Sequence, residues 1–186
     1  MKLRIMIKKI LSLIEELNEE SEYLTDDPDI AAKIIDVINQ VMFELCRMKK
    51  IPCYLEMQVT AGQTVRYQDI AAASGFDVYQ IDIIRGVDYD SRAAGTVFKF
   101  TESGLAEIDF FRFPERITEE NKDAYEFTLS DDVLEIMPYG VAADLLKSDV
   151  STGYGSVYAA RYDAMKQLLD PRYSMASISI EGGVDI

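Results

Sequence analysis

The sequence predicts an α+β fold, with N- and C-terminal α-helices forming a helical bundle and a small antiparallel β-sheet or sandwich unit inserted between them. Three observations predict it. Apolar residues recur at three- and four-residue spacing up to about residue 50, alternate with polar residues through the middle, and return to helical spacing after about residue 130. With 186 residues, 48 % of them hydrophobic, the chain suits one domain, without internal repeats or low-complexity segments. The expected organisation is a single domain, 1–186, in which 1–50 is helical and 51–130 is the inserted β unit. Residues 131–170 then form a helical hairpin and 171–186 an extended tail.

The opening stretch MKLRIMIKKILSLIEELNEE starts as a signal peptide does, with lysines before isoleucines and leucines. Lysines interrupt the apolar run, however, charges follow directly, and no small-residue cleavage site appears. An amphipathic helix is the expectation, with Leu3, Met6, Ile7, Ile10, Ile14 and Leu17 as its stripe. Its basic residues lead and its acidic ones trail, against the helix dipole, so it depends on packing. A second helix opens at DDPD, where Asp27 is placed to cap, Pro28 suits the first helical position and Asp29 favours the positive end. Ile30, Ile34, Val37, Ile38, Val41, Met42 and Leu45 form its buried stripe, and Pro52 stops it. The two helices are expected to run antiparallel.

From about Cys53 to Leu129 the period becomes two. YLEMQVTAG sets Tyr54, Glu56 and Gln58 against Leu55, Met57 and Val59. VYQIDIIRGVDYD, TVFKF and LAEIDFFRFP supply further strands, the last two bracketing Ser103-Gly104 as a hairpin turn. QDIAAASG reads as a short helical turn, and YEFTL as one more edge. Four to six short antiparallel strands are expected.

Helical spacing returns in LSDDVLEIMPYGVAADLLKSD and SVYAARYDAMKQLLD. Met137-Pro138 reads as a helix start, because proline favours the first turn and disfavours helix in the residue before it. Val141, Ala142, Leu145 and Leu146 then face the N-terminal helices, leaving Tyr139 and Asp144 on the exposed side. Ser156 is the expected cap of the last helix. Val157, Ala160, Tyr162 (or Arg161), Ala164, Met165 and Leu168 make it amphipathic.

The charge is −14, from 33 acidic and 19 basic residues. Such a surface repels phosphate and disfavours nucleic-acid binding through a basic footprint. There is no histidine, which removes the commonest general base and metal ligand together. Cys46 and Cys53 lack CxxC spacing and read as reduced thiols. No apolar run approaches the roughly 18 residues of a membrane span, so a soluble, cytoplasmic chain is expected.

Motifs for chemistry fail one by one. GYGSVY follows a helix rather than a strand and carries Tyr158 where a dinucleotide loop has its third glycine. DYDSRAAG has Arg92 and Ala93 where a calcium loop needs a ligand and a glycine. Carboxylate pairs such as Glu102 with Glu107, or Asp88 with Asp90, serve a glycosidase only when opposed across a pocket, roughly 5–9 Å apart. No cofactor, no metal and no catalytic residue is assigned. The eleven tyrosines are the unusual abundance, and Tyr139, Tyr154, Tyr158, Tyr162 and Tyr173 gather in the last third. Tyrosine supplies large rigid area with a polar tip, which suits protein contact.

The order of these parts resembles the head–tail adaptor (connector, or neck) proteins of tailed phages and prophages. FELCRMKKIPCYLEMQVT passes from helix through a basic turn into a strand. TVRYQDI, VYQIDIIRGVDYD and TVFKF lead into IDFFRFPERIT, whose strand ends in aromatic-x-aromatic-proline. IMPYGVAADLLKSD and YAARYDAMKQLL are similar to the family's terminal hairpin, although the linker SDVSTGYGSV departs from a tight polar turn. The likeness spans about Ile30 to Leu169. It implies a non-enzymatic virion protein, assembled in the cytoplasm of a bacterial host. Its partners would be copies of itself in a ring of about twelve subunits, the portal protein, and a tail or head-closure protein. DNA would pass without specific binding, and no membrane is involved. Tyr139, Asp144, Tyr158, Tyr162, Tyr173, Ile178 and Ile180 are the expected subunit or portal contacts. The alternative is an acidic intracellular binding module, a DNA mimic or regulatory partner.

Overall fold

A computed structural model describes residues 1–148 and 153–169. Tyr173, Ile178, Ile180 and the expected extended tail lie outside them. Among the described residues the fold is mixed α+β, with five α-helices and two antiparallel sheets of three strands each.

Helix α1 (Leu3–Leu13) buries Leu3, Met6, Ile10 and Leu11. It ends before the expected Leu17. Glu15 takes a left-handed conformation (φ 62°) and the Glu16 N–H bonds the Leu11 carbonyl at 2.9 Å, the closing bond of a Schellman turn. The Glu-rich run therefore falls outside the helix, while Arg4 stays in its first turn.

Helix α2 (Pro28–Met48) begins where the sequence signals it. The Asp27 carboxylate accepts the N–H groups of Asp29 (2.8 Å) and Ile30 (3.2 Å), with Pro28 in the first turn. Asp27→Ala is expected to cost about 1 kcal/mol, the usual loss for an N-cap. A midpoint in urea indistinguishable from the parent's refutes that role.

The β unit comprises β1 (Ile51–Val59), β2 (Thr64–Arg66), helix α3 (Tyr67–Ser74), β3 (Val78–Arg85), β4 (Tyr89–Arg92), β5 (Val97–Phe100) and β6 (Gly104–Arg112). One sheet has the order β1-β6-β3 and the other β2-β5-β4. β1 alternates as expected, with Tyr54, Glu56 and Gln58 exposed. The expected hairpin at Ser103-Gly104 does not form. β5 pairs with β2 and β4, whereas β6 pairs with β1 and β3, so this turn carries the chain from one sheet to the other. The inner faces of the two sheets meet over Val59, Val65, Ile70, Ile84, Phe98, Phe100, Ala106, Ile108 and Phe110, and this apolar cluster is separate from the one among the helices.

After β6, residues 113–130 run as a strap over the helices. Asn39, buried on α2, grips it: its side-chain amide donates to the Ile117 carbonyl and its oxygen accepts the Ile117 N–H, both at 2.9 Å. Farther on, the Leu3 N–H bonds the Tyr125 carbonyl and the Phe127 N–H bonds the Met1 carbonyl. The expected YEFTL edge is thus reduced to a single bridge between Lys2 and Glu126.

Helix α4 (Asp131–Leu145) is the hub, packing on α1, on α2 and on α5 (Tyr154–Gln167). α1 and α2 thus share α4 as their partner. The expected start at Pro138 is overturned. Ser130 is the N-cap, Asp131 and Asp132 fill the first turn, and Pro138 lies buried in the middle. Proline removes one backbone hydrogen bond at a cost of roughly 3 kcal/mol in a helix interior. Burial of Val133, Leu134, Ile136, Met137, Val141 and Ala142 along the same helix outweighs it. Lys49, at the end of α2, bonds the Asp132 carboxylate and joins the two helix ends. Burial pushes the Asp132 pKa up, but hydrogen bonds from Lys49 and Ser130 and the Lys49 charge outweigh burial and hold it below the ordinary value. The contribution of this pair is present above the unfolded-state pKa and is lost as pH falls through the depressed one.

Candidate interaction surface

The α4–α5 pair and the neighbouring face of α1 bring together four of the residues that the sequence marks for contact. α5 begins at Gly153, whose φ of 68° suits glycine. The expected cap, Ser156, instead donates its hydroxyl back to the Gly153 carbonyl at 2.7 Å. Gly140 on α4 lets α5 come close: a Cβ there would lie 2.8 Å from the Tyr162 ring. A small residue at that position is therefore a packing requirement.

The tyrosines are less exposed than expected. Tyr162 is buried, with the Lys166 ammonium 4.3 Å from its ring centre. Its hydroxyl meets no partner in hydrogen-bonding geometry, although the Glu44 carboxylate is nearby. Burial foremost, then the Glu44 charge, push the phenol pKa far up, so it stays neutral. Tyr158 is half-buried and donates its hydroxyl to the Leu13 carbonyl at the end of α1. Tyr139 is half-buried as well, held 4.4 Å from the Arg161 guanidinium and 6.4 Å from the Tyr158 ring. Asp144 is half-buried near the end of α4. The three tyrosines pack between the helices, and Tyr139 and Asp144 are half-buried, which corrects the expectation of an exposed side for both.

α5 carries two apolar stripes. The inner one is Tyr158, Tyr162, Met165 and Leu169, which pack into the helical core. The outer one is Tyr154, Val157, Ala164 and Leu168, all exposed and interrupted by Arg161, which lies against the Tyr139 ring. Tyr154 is 59 % exposed, Val157 61 % and Leu168 84 %. The expected stripe mixes these two faces: Val157, Ala160, Ala164 and Leu168 point outward. The missed signal is the three-four-three-four spacing of the exposed residues from Tyr154 to Leu168.

An open groove of about 600 Å³ lies between α1, α4 and α5. Ile5, Lys8 and Lys9 line it from α1, Glu135, Pro138 and Tyr139 from α4, and Arg161 and Met165 from α5. Ile5 is 48 % exposed beside it. α1 has no acidic residue between Leu3 and Leu13, so its contribution to the groove is basic, with Lys8 paired to Glu19 at 2.9 Å.

The candidate chemical groups have structural partners. Glu102 accepts the Asp88 N–H at 3.0 Å, across the turn before β4. Glu107 lies opposite Glu56 and pairs with Arg85 at 3.8 Å, while Asp90 lies opposite Lys99. Cys46 and Cys53 are free thiols; burial raises both, Cys46 to about 11, so both stay protonated at neutral pH. Among the described residues, no three acidic or cysteine side chains are grouped to hold a metal ion. No described helix is long and apolar enough to cross a membrane. No protein-family model matches the chain, and no curated protein is significantly similar to it.

Proposed function

We propose that the chain is a non-enzymatic structural protein of a phage or prophage virion, an adaptor that joins the portal to the tail as one subunit of an oligomeric ring. The observation that carries this reading is the outer stripe of α5. A helix already docked by its inner face presents Tyr154, Val157 and Leu168 outward at heptad spacing, the form of a helix that receives a second helix. In this reading the helices are a bundle and the β unit an insertion into it. The stripe meets a neighbouring copy, and the portal and a tail or head-closure protein bind the two ends of the ring. The charge of −14 on each subunit suits a channel that DNA crosses without adhering.

The test is negative-stain microscopy and light scattering of the purified chain mixed with a candidate portal. Rings on the portal are expected. Val157→Glu with Leu168→Glu is expected to abolish them while leaving the far-ultraviolet circular dichroism unchanged. A chain that stays monomeric and ignores the portal at tens of micromolar overturns the reading. One observation favours the second reading, an acidic module that occupies a basic protein surface. Glu56, Glu107 and Asp109 gather on the outward face of the β1–β6 pair, with Arg85 between strands as their counter-charge. Competition with DNA for a basic protein would support it.

A further inference from the structure

We infer that the groove between α1, α4 and α5 is the docking site of the chain's own segment 171–186. The first argument is charge. The groove is rimmed by Lys8, Lys9 and Arg161 against Glu135; Lys8 is already paired with Glu19 at 2.9 Å, which leaves Lys9 and Arg161 as the cations that face an acidic segment. Segment 171–186 carries Glu181 and Asp185 against Arg172. On a molecule of net charge −14, an acidic segment is repelled by most of the surface and attracted here.

The second argument is chemistry along the segment. SMASISI places Met175, Ile178 and Ile180 among small and hydroxyl residues, which suits a narrow floor made by Ile5, Pro138 and Met165. The third is reach. Leu169, two residues before the segment, is buried one helical turn beyond Met165, which lines the groove. Residues 174–180, if extended, span roughly 23 Å, enough to run the length of α1, about 16 Å.

Attachment makes a weak contact sufficient. At an effective concentration of roughly 1 mM, a contact with a Kd of about 100 μM between separate molecules is about 90 % formed within one. Cleavage after Tyr173 would then be slowed about tenfold when docking is fast relative to cleavage.

The experiment uses the full chain. With methionine and isoleucine methyls labelled with ¹³C, nuclear Overhauser contacts are expected from Met175, Ile178 or Ile180 to Ile5 or Met165. Lys9→Glu with Arg161→Glu is expected to abolish them and to speed chymotrypsin cleavage after Tyr173 about tenfold. Glu181→Lys with Asp185→Lys leaves both apolar clusters untouched and should do the same. Absent contacts, or cleavage unchanged in both double variants, overturn the inference. Contacts seen only between labelled and unlabelled molecules also overturn it, because a second copy's segment then fills the groove. None of these readouts requires ring formation, so the inference and the adaptor reading stand or fall separately.

Discussion

Asn39→Ala is expected to destabilise the protein by about 2–5 kcal/mol. Asn39 is a buried polar residue whose two hydrogen bonds both go to one peptide unit of the strap, at Ile117. Truncation does more than delete two favourable contacts. It leaves the Ile117 N–H and carbonyl without partners, and each orphaned buried group costs about 1–3 kcal/mol. Ile117 is itself buried, so the strap must lift before water reaches them. Equilibrium urea denaturation measures the loss, and amide exchange at Ile117 should accelerate with it. Asn39→Asp is the sharper control, because it keeps the acceptor and removes the donor. A loss below 1 kcal/mol for the alanine variant would mean that the strap is held by its apolar residues alone.

Phe110→Ala comes next, at about 3–5 kcal/mol, the range for a large aromatic deleted from a core. Phe110 lies on the central strand of its sheet, opposite Cys53 on β1 and Ile81 on β3, and is fully buried. No neighbouring strand element can slide to fill the gap without breaking that register. Because the β cluster is separate from the helical one, the variant also asks whether the two unfold together. Denaturation followed by helix circular dichroism and by tyrosine fluorescence should lose coincidence if the β unit melts first. An unchanged midpoint refutes the core role given to Phe110.

Periodicity carried the elements and failed on their partners. Asp27-Pro28 marks the start of α2 because capping is local chemistry, complete within four residues. The alternation in β1 likewise survives because one face of it is buried. The Ser103-Gly104 turn misleads for a physical reason: a tight turn fixes a change of direction, not which strands then pair, and here the pairing is decided across two sheets. Pro138 misleads because its local preference is outweighed by burial over the whole of α4. Of the candidate contact residues, Tyr139, Tyr158 and Tyr162 are found together on one helix pair, but turned inward. Abundance of tyrosine does not distinguish a core edge from a docking face, because the same residue type serves both.

The two stripes of α5 also order events in time. The inner stripe is satisfied within the chain, so in the proposed ring a subunit would finish folding before it meets another. Association should then behave as a reversible, second-order step. A melting temperature that climbs with protein concentration, by an amount set by the logarithm of that concentration, is its thermodynamic signature.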